Sequence, residues 1–328
     1  MKINLFLLVA WMGCASFSHA VDADAKEPVA VQRHIDKAYA LAGDSFMRTT
    51  VDLQCTDKID AMGFFKNVTV PPATQVFDNL YFVGISSVSA WALQTGDGII
   101  LIDALNNTEE ARDVIEPGLR EFGLDPADVK YIVVTQGHGD HYGGARYFVE
   151  KYSTQVLMSE PDWDIAINPP PRPKIPGREA PNWSKSPDKD LVAVDGQELT
   201  LGDTTVRIVS TPGHTPGTIS VVFPVYSNGE RHMAALWGGT GFPRDLAGVR
   251  QYVESADKFL ELMEKERVDV ALSNHIFVDD SLERMIELRK NPAVNPFLIG
   301  EDGVQRYTKI LSECAKATLA KREMAAPE

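Results

Sequence analysis

Gln136-Gly137-His138-Gly139-Asp140-His141-Tyr142-Gly143-Gly144 comes directly after the apolar run 129–135 (VKYIVVT) and before a helical pattern that reaches residue 152. A short apolar run that ends in a glycine-rich turn reads as a strand buried on both faces. The nine residues therefore make the turn at a strand's end. They hold two imidazoles and a carboxylate within four positions, and the glycines let the backbone bend tightly beside a bound ion.

Two further histidines stand at comparable places. His214 lies in the loop 211–217 (TPGHTPG), between expected strands at 205–210 and 218–225. His275 follows Ser273-Asn274 at the end of an expected strand, 268–272. Loops on one rim of a sheet bring such residues together. Imidazole and carboxylate are the ligands zinc takes where no thiolate is offered. One zinc can take Asp140, His141 and His275 and leave a position for water, as catalytic zinc sites do. A second can take His138 and His214, with Gln136 as candidate third ligand. An amide oxygen binds metal less well than an imidazole, so the first site is expected to be the tighter. Zinc lowers the pKa of its water to near 7, and Asp140 is the candidate catalytic residue that orients that water and handles its proton. Asp103 ends the buried strand 99–103 (IILID) and is expected to support the metal loop without binding metal. His34, in a helical stretch, and His232, after a polar turn, are read as structural.

Helical spacing runs through residues 27–54. Residues 74–84 and 87–95 alternate as strands, and Gly96-Asp97-Gly98 makes a turn. A helix is expected over 108–122, capped by Asn107 or Thr108, and a strand over 155–159. Residues 168–188 are Pro-rich and polar. A loop that long in a compact domain is usually functional, and with residues 85–89 and Phe277 it is expected to shape a pocket. Short strands follow at 191–194, 198–201 and 233–237, then helices at 251–265, 281–290 and 303–321. Two sets of strands with helices on either side predict an α/β fold, a four-layer αββα sandwich. The expected division is a leader over 1–20, a helical extension over 21–72, and one domain over 73–328.

The leader reading rests on Lys2, an apolar stretch from Ile3 to Ala15, and Ser18-His19-Ala20 as a cleavage site. The apolar stretch is short for a membrane span. Export is therefore expected, to a periplasm or the outside, with no membrane attachment after cleavage. Export also changes how the cysteines read. Cys55 and Cys314 remain near opposite ends of the mature chain, either bridged or separately buried, and an oxidising compartment favours the bridge. The 328 residues carry 32 Lys plus Arg against 46 Asp plus Glu, a formal charge of −14. A nucleic-acid partner needs a basic surface, so none is expected; a small-molecule substrate is. There is no nucleophile elbow, phosphate loop or dinucleotide fingerprint. Asp279-Asp280 and Glu109-Glu110 are read as a solvated face or a helix start.

The run Gln136–His141 resembles the His-x-His-x-Asp-His motif of the metallo-β-lactamase superfamily. The resemblance extends in order from about residue 74 to His275, through the strand ending at Asp103 and the TPGHTPG loop. Two departures carry information. The motif's first His is Gln136 here, an exchange known in one lineage of the third subclass of class B β-lactamases. Many other superfamily hydrolases, the glyoxalase-like ones among them, place a metal-bridging Asp near Trp237, where this chain reads Gly238-Gly239-Thr240. The resemblance implies an exported zinc hydrolase that opens the β-lactam ring. The alternatives are a hydrolase of lactones or other esters, and a metal-binding relative that has lost catalysis.

Overall fold

Alternate residues of the strand Ile219–Ser227 serve two different cores. Val221, Phe223 and Val225 belong to one apolar cluster and Val222 to another. Side chains on a strand alternate between faces, so a strand apolar on both must be covered on both. The computed structural model describes residues 28–56, 67–171 and 180–325, and in it this pattern builds four layers. The expected leader, 1–20, lies outside the described residues, as does part of the expected extension.

The first sheet takes its strands in sequence order: β1 (Thr74–Phe77), β2 (Leu80–Phe82), β3 (Trp91–Thr95), β4 (Gly98–Ile102), β5 (Val129–Val133), β6 (Gln155–Ser159) and β7 (Leu191–Ala193). Pairing is antiparallel as far as β4 and parallel from β4 to β7. The second sheet comprises β8 (Glu198–Leu201), β9 (Thr204–Ser210), β10 (Ile219–Ser227), β11 (Glu230–Trp237) and β12 (Val270–Ser273), with β11 and β12 parallel. Ile100, Ile102, Phe82 and Trp91 meet Val221, Phe223, Leu236 and Leu272 between the sheets. The outer face of the first sheet packs on helices through Ala111, Ile115, Leu119, Phe148 and Trp163. Helices Val29–Ala42, Leu246–Glu266 and Gly300–Ala325 cover the second sheet through Val31, Ile35, Tyr252, Phe259, Ile310 and Leu311. No helix among the described residues is long and apolar enough to cross a membrane.

Several elements differ from the expectation. The helical stretch 27–54 is two helices, Val29–Ala42 and Met47–Gln54, broken at Gly43, whose φ of 57° no helix accepts. Residues 74–84 fold as the hairpin β1–β2, turning at Asp78-Asn79. Residues 87–90 are loop, because their backbone is drawn toward the second sheet: Ser89 N donates to Asn274 O over 2.9 Å. The helix Glu160–Ile167 was not expected. Asn107 caps as expected, accepting from Glu110 N, so Glu109-Glu110 does start a helix. Asp279 is not solvated. It is completely buried beside Arg284, whose guanidinium lies over the rings of Phe46 and Phe297. Cys55 and Cys314 are disulfide-bonded.

β4, β5, β9, β11 and β12 all deliver their C-terminal ends to one rim. The sheets are tied together there, with Ile219 N donating to Thr135 O over 2.9 Å and Trp91 Nε1 to Ser273 O over 3.3 Å.

Candidate metal centre

The turn after β5 carries Gln136, His138, Asp140 and His141, and the segment after β12 carries His275. One ligand atom from each of Asp140, His141 and His275 lies within 4.8 Å of the other two. Asp140 Oδ2 stands 3.6 Å from His141 Nε2 and 4.0 Å from His275 Nε2. The His141 and His275 rings meet edge to face with centroids 5.0 Å apart.

His138 and His214 make a second pair. His214 Nε2 is 3.2 Å from His138 Nδ1, and the rings are 5.0 Å apart and nearly perpendicular. Gln136 lies with the first set, its side-chain amide nitrogen 2.8 Å from His141 Nε2. The structure thus brings five of the six expected ligands into two facing groups and leaves Gln136 beside His141. His34 and His232 stand apart, bonded to Glu313 and Asp269.

Three of these imidazoles are held from behind. His141 Nδ1 donates to Asp103 Oδ2 over 2.8 Å, His275 Nδ1 to Ser87 O over 2.6 Å, and His214 Nδ1 to Gly241 O over 2.8 Å. An imidazole donating from Nδ1 keeps a lone pair on Nε2, the form that binds metal. Asp103 also accepts from Thr135 N and Thr135 Oγ1, at 2.8 and 2.9 Å, so one buried carboxylate fixes both the strand end and the ring.

Burial, with His138 beside it, pushes the His214 imidazole down to about 3. Burial, with His141 beside it, pushes His275 down to about 4. For His141 burial acts the same way, but the Asp103 and Asp140 carboxylates outweigh it and raise the ring. Burial works to raise Asp140, but His141, His275 and His138 hold it below its ordinary value.

The donor set fits a divalent metal. Asp140 Oδ1 and Gln136 Oε1 are buried and have no hydrogen-bond partner, a costly condition for a carboxylate oxygen. A cation between Asp140, His141 and His275 would satisfy Asp140 and take the Nε2 lone pairs, displacing the Gln136 amide from His141. Nitrogen and carboxylate donors together are the chemistry of zinc. After β11 the chain offers Gly238, Gly239 and Thr240, with no carboxylate; the Thr240 hydroxyl donates to Asn274 Oδ1 over 2.7 Å.

Two supporting residues were not foreseen. Asp162, completely buried, accepts from Gly137 N at 2.8 Å, Thr215 Oγ1 at 2.6 Å and Gly217 N at 3.0 Å, tying the loops of His138 and His214 together. Its burial raises its pKa despite those donors. Trp183, in the returning arm of the Pro-rich loop, covers Gly139 so closely that a Cβ there would overlap the indole. Its ring centroid is 6.3 Å from that of His138, and its Nε1 donates to Asn106 Oδ1 over 3.0 Å.

Residues 83–265, more than half of the chain, match the family model of the metallo-beta-lactamase superfamily. The chain belongs to that superfamily. As a superfamily hydrolase it is similar in structure to BJP-1, a subclass B3 metallo-beta-lactamase of Bradyrhizobium japonicum. The TM-score is 0.66 at 27% identity, over 81% of this chain and 99% of that one. FEZ-1 from Legionella gormanii matches with a TM-score of 0.65 at 19% identity, over 80% of this chain and 99% of that one, and shows the shared fold alone. Among curated proteins, a hydroxyacylglutathione hydrolase of Crocosphaera subtropica is 28% identical over 228 residues, 62% of this chain and 80% of the relative. One from Brucella ovis is 30% identical over 132 residues, 39% of this chain and 42% of the relative. This superfamily member thus spans less than half of the Brucella relative's length.

Proposed function

We propose that this chain is an exported, zinc-dependent hydrolase that opens the β-lactam ring. Residues 1–20 act as its leader and residues 73–328 as the catalytic domain. The observation that carries the reading is the convergence of Asp140, His141 and His275, with the outer nitrogens of both rings already bonded. Asp140, His141 and His275 would hold the tighter zinc, and His138 and His214, with Gln136, the weaker one. Zinc in such a site supplies an acidified water and positive charge for the amide nitrogen that leaves.

The chain's own groups supply the rest. Asp103 and Ser87 O keep His141 and His275 in the tautomer that leaves Nε2 unprotonated. Asp140, held ionised among imidazoles, accepts a hydrogen bond from the attacking water through Oδ1 and takes its proton. His138 and His214 stand across the cleft, where they orient substrate or water if the weaker position is empty. Trp183 lies beside His138 and Phe277 beside His275, and these rings would limit the access of bulk water.

A second reading is hydrolysis of a thioester or ester. The hydroxyacylglutathione hydrolase relatives favour it. The turn Gly238-Gly239-Thr240, without a carboxylate to bridge two metals, favours the lactamase. Turnover of a chromogenic cephalosporin and of a hydroxyacylglutathione thioester, each with and without chelator and beside metal analysis, separates them. Chelator-sensitive cephalosporin hydrolysis is the expected result. Thioester turnover alone would favour the second reading, and tight zinc binding without turnover of either would indicate a non-catalytic metal binder.

A further inference from the structure

His275 is carried by a short turn, closed by Val278 N donating to His275 O over 3.0 Å, that does not stand by itself. Within this turn the Phe277 ring lies 5.4 Å from the His275 ring and is almost fully buried. The cover comes from the opposite end of the chain. Thr50, in the helix Met47–Gln54, donates its buried hydroxyl to Val278 O over 2.8 Å. Leu53, one turn on, packs with Phe277 and Val278 in an apolar cluster of their own, separate from the three large cores. Phe46, just before the helix, stacks on the Arg284 guanidinium, whose Nη1 donates to Asp279 O over 3.2 Å. Cys55, directly after the helix, is bonded to Cys314 in the C-terminal helix. The superfamily match begins only at residue 83.

We propose that residues 46–55 are a strap that positions His275 and Phe277, with Thr50 and Leu53 as its positioning residues and the Cys55–Cys314 disulfide as its anchor. A helix of eight residues is too short to be stable alone. The disulfide at one end and the Phe46–Arg284 stack at the other hold it against the turn. The Thr50 hydroxyl is then one hydrogen-bonded turn from a metal-binding imidazole, and support of that kind sets how well a ligand is aimed. Ser87 O orients the His275 ring from one side, and the strap fixes its backbone from the other. The inference rests on the metal-centre reading above, because its consequence is retention of metal at Asp140, His141 and His275.

The test is the zinc dissociation constant of the full protein, measured by competition with a chromophoric chelator and accompanied by the visible spectrum of the cobalt-substituted form. Thr50→Val keeps the volume and removes the donor. It is expected to weaken zinc binding about tenfold, as loss of a supporting partner does, and to alter the cobalt spectrum. Thr50→Ser restores the hydroxyl and is expected to stay within about twofold of the parent. The pair Cys55→Ser and Cys314→Ser is expected to follow Thr50→Val. Glu313→Gln, in the C-terminal helix, removes the carboxylate charge that faces His34 and Lys37 of the helix Val29–Ala42, remote from the turn, and is expected to lower the melting temperature without moving zinc affinity. If Thr50→Val keeps the parent's affinity and spectrum, or if Glu313→Gln weakens zinc as much, the strap has no positioning role and the inference is overturned. A parent protein that binds no zinc would instead overturn the metal-centre reading, and this inference with it.

Discussion

His141 Nδ1 and Asp103 Oδ2 lie 2.8 Å apart with both side chains completely buried, and Asp103 reaches that position with φ at 62°. The left-handed region is open to Asp and Asn more than to other side chains. Asp103→Asn therefore keeps the backbone and changes only the hydrogen bonding. The amide cannot accept from Thr135 and from His141 as the carboxylate does. Zinc affinity is expected to fall about 10–100-fold, and the melting temperature of the metal-free protein to fall as well, because buried donors of Thr135 and His141 lose an acceptor. Chelator competition beside calorimetry measures both, and unchanged affinity would show that Asp103 does not orient His141.

The ligand set makes a prediction in both directions. Asp140→Ala and His275→Ala are expected to abolish hydrolysis and lower zinc content. Gln136→His offers the proposed weaker site a third imidazole and is expected to raise zinc content toward two per chain. Flat metal content across all three variants would refute the assignment.

Gly139 has no room for a side chain, because the Trp183 indole lies against its Cα. Gly139→Ala is expected to cost about 1–3 kcal/mol by overpacking and to displace the His138 turn. Trp183→Ala in the same chain removes the clash, so the double variant should be more stable than the sum of the single losses predicts. Denaturant unfolding of the four proteins closes the cycle; strict additivity would mean that the two residues do not share the space.

Histidine titration sets an acid limit on the metal-free protein. In the folded state His275 titrates at about 4 and His214 at about 3, below the ordinary 6.5. Between those values the unfolded chain binds more protons, so stability is lost as the pH falls below about 6.5. Asp279 and Asp280, raised to about 6 mainly by burial, act in the opposite sense. The comparison is therefore made against His275→Gln, which keeps both. From pH 7 to pH 4.5 the parent should lose more stability than the variant. Equal losses would mean that His275 is not held neutral by its surroundings.

The candidate ligand residues were legible because metal chemistry uses few residue types and glycine turns mark where a strand ends. His138, Asp140, His141, His214 and His275 stand out on those grounds without any contact being known. Asp103 was legible too, as an acid ending an apolar strand. Asp162 was not. An acid in the first turn of a helix ordinarily complements the helix dipole, and its three donors come from residues 137, 215 and 217, whose proximity exists only in the folded chain. Asp279-Asp280 does start a helix, Ser281–Lys290, as one of its two readings had it, but the burial of Asp279 beside Arg284 was not legible, because it too arises only in the folded chain.

The order of residues alone settled the period-2 strands, the turns that end them and the donor types they present, because these follow from steric and hydrogen-bonding preferences within a few residues. Tertiary structure alone decided which imidazole nitrogens are bonded from behind, which glycine an indole covers, and that the helix Met47–Gln54 packs on the turn carrying His275. Those outcomes depend on groups distant in sequence competing for the same small volume, and only the packed chain resolves that competition.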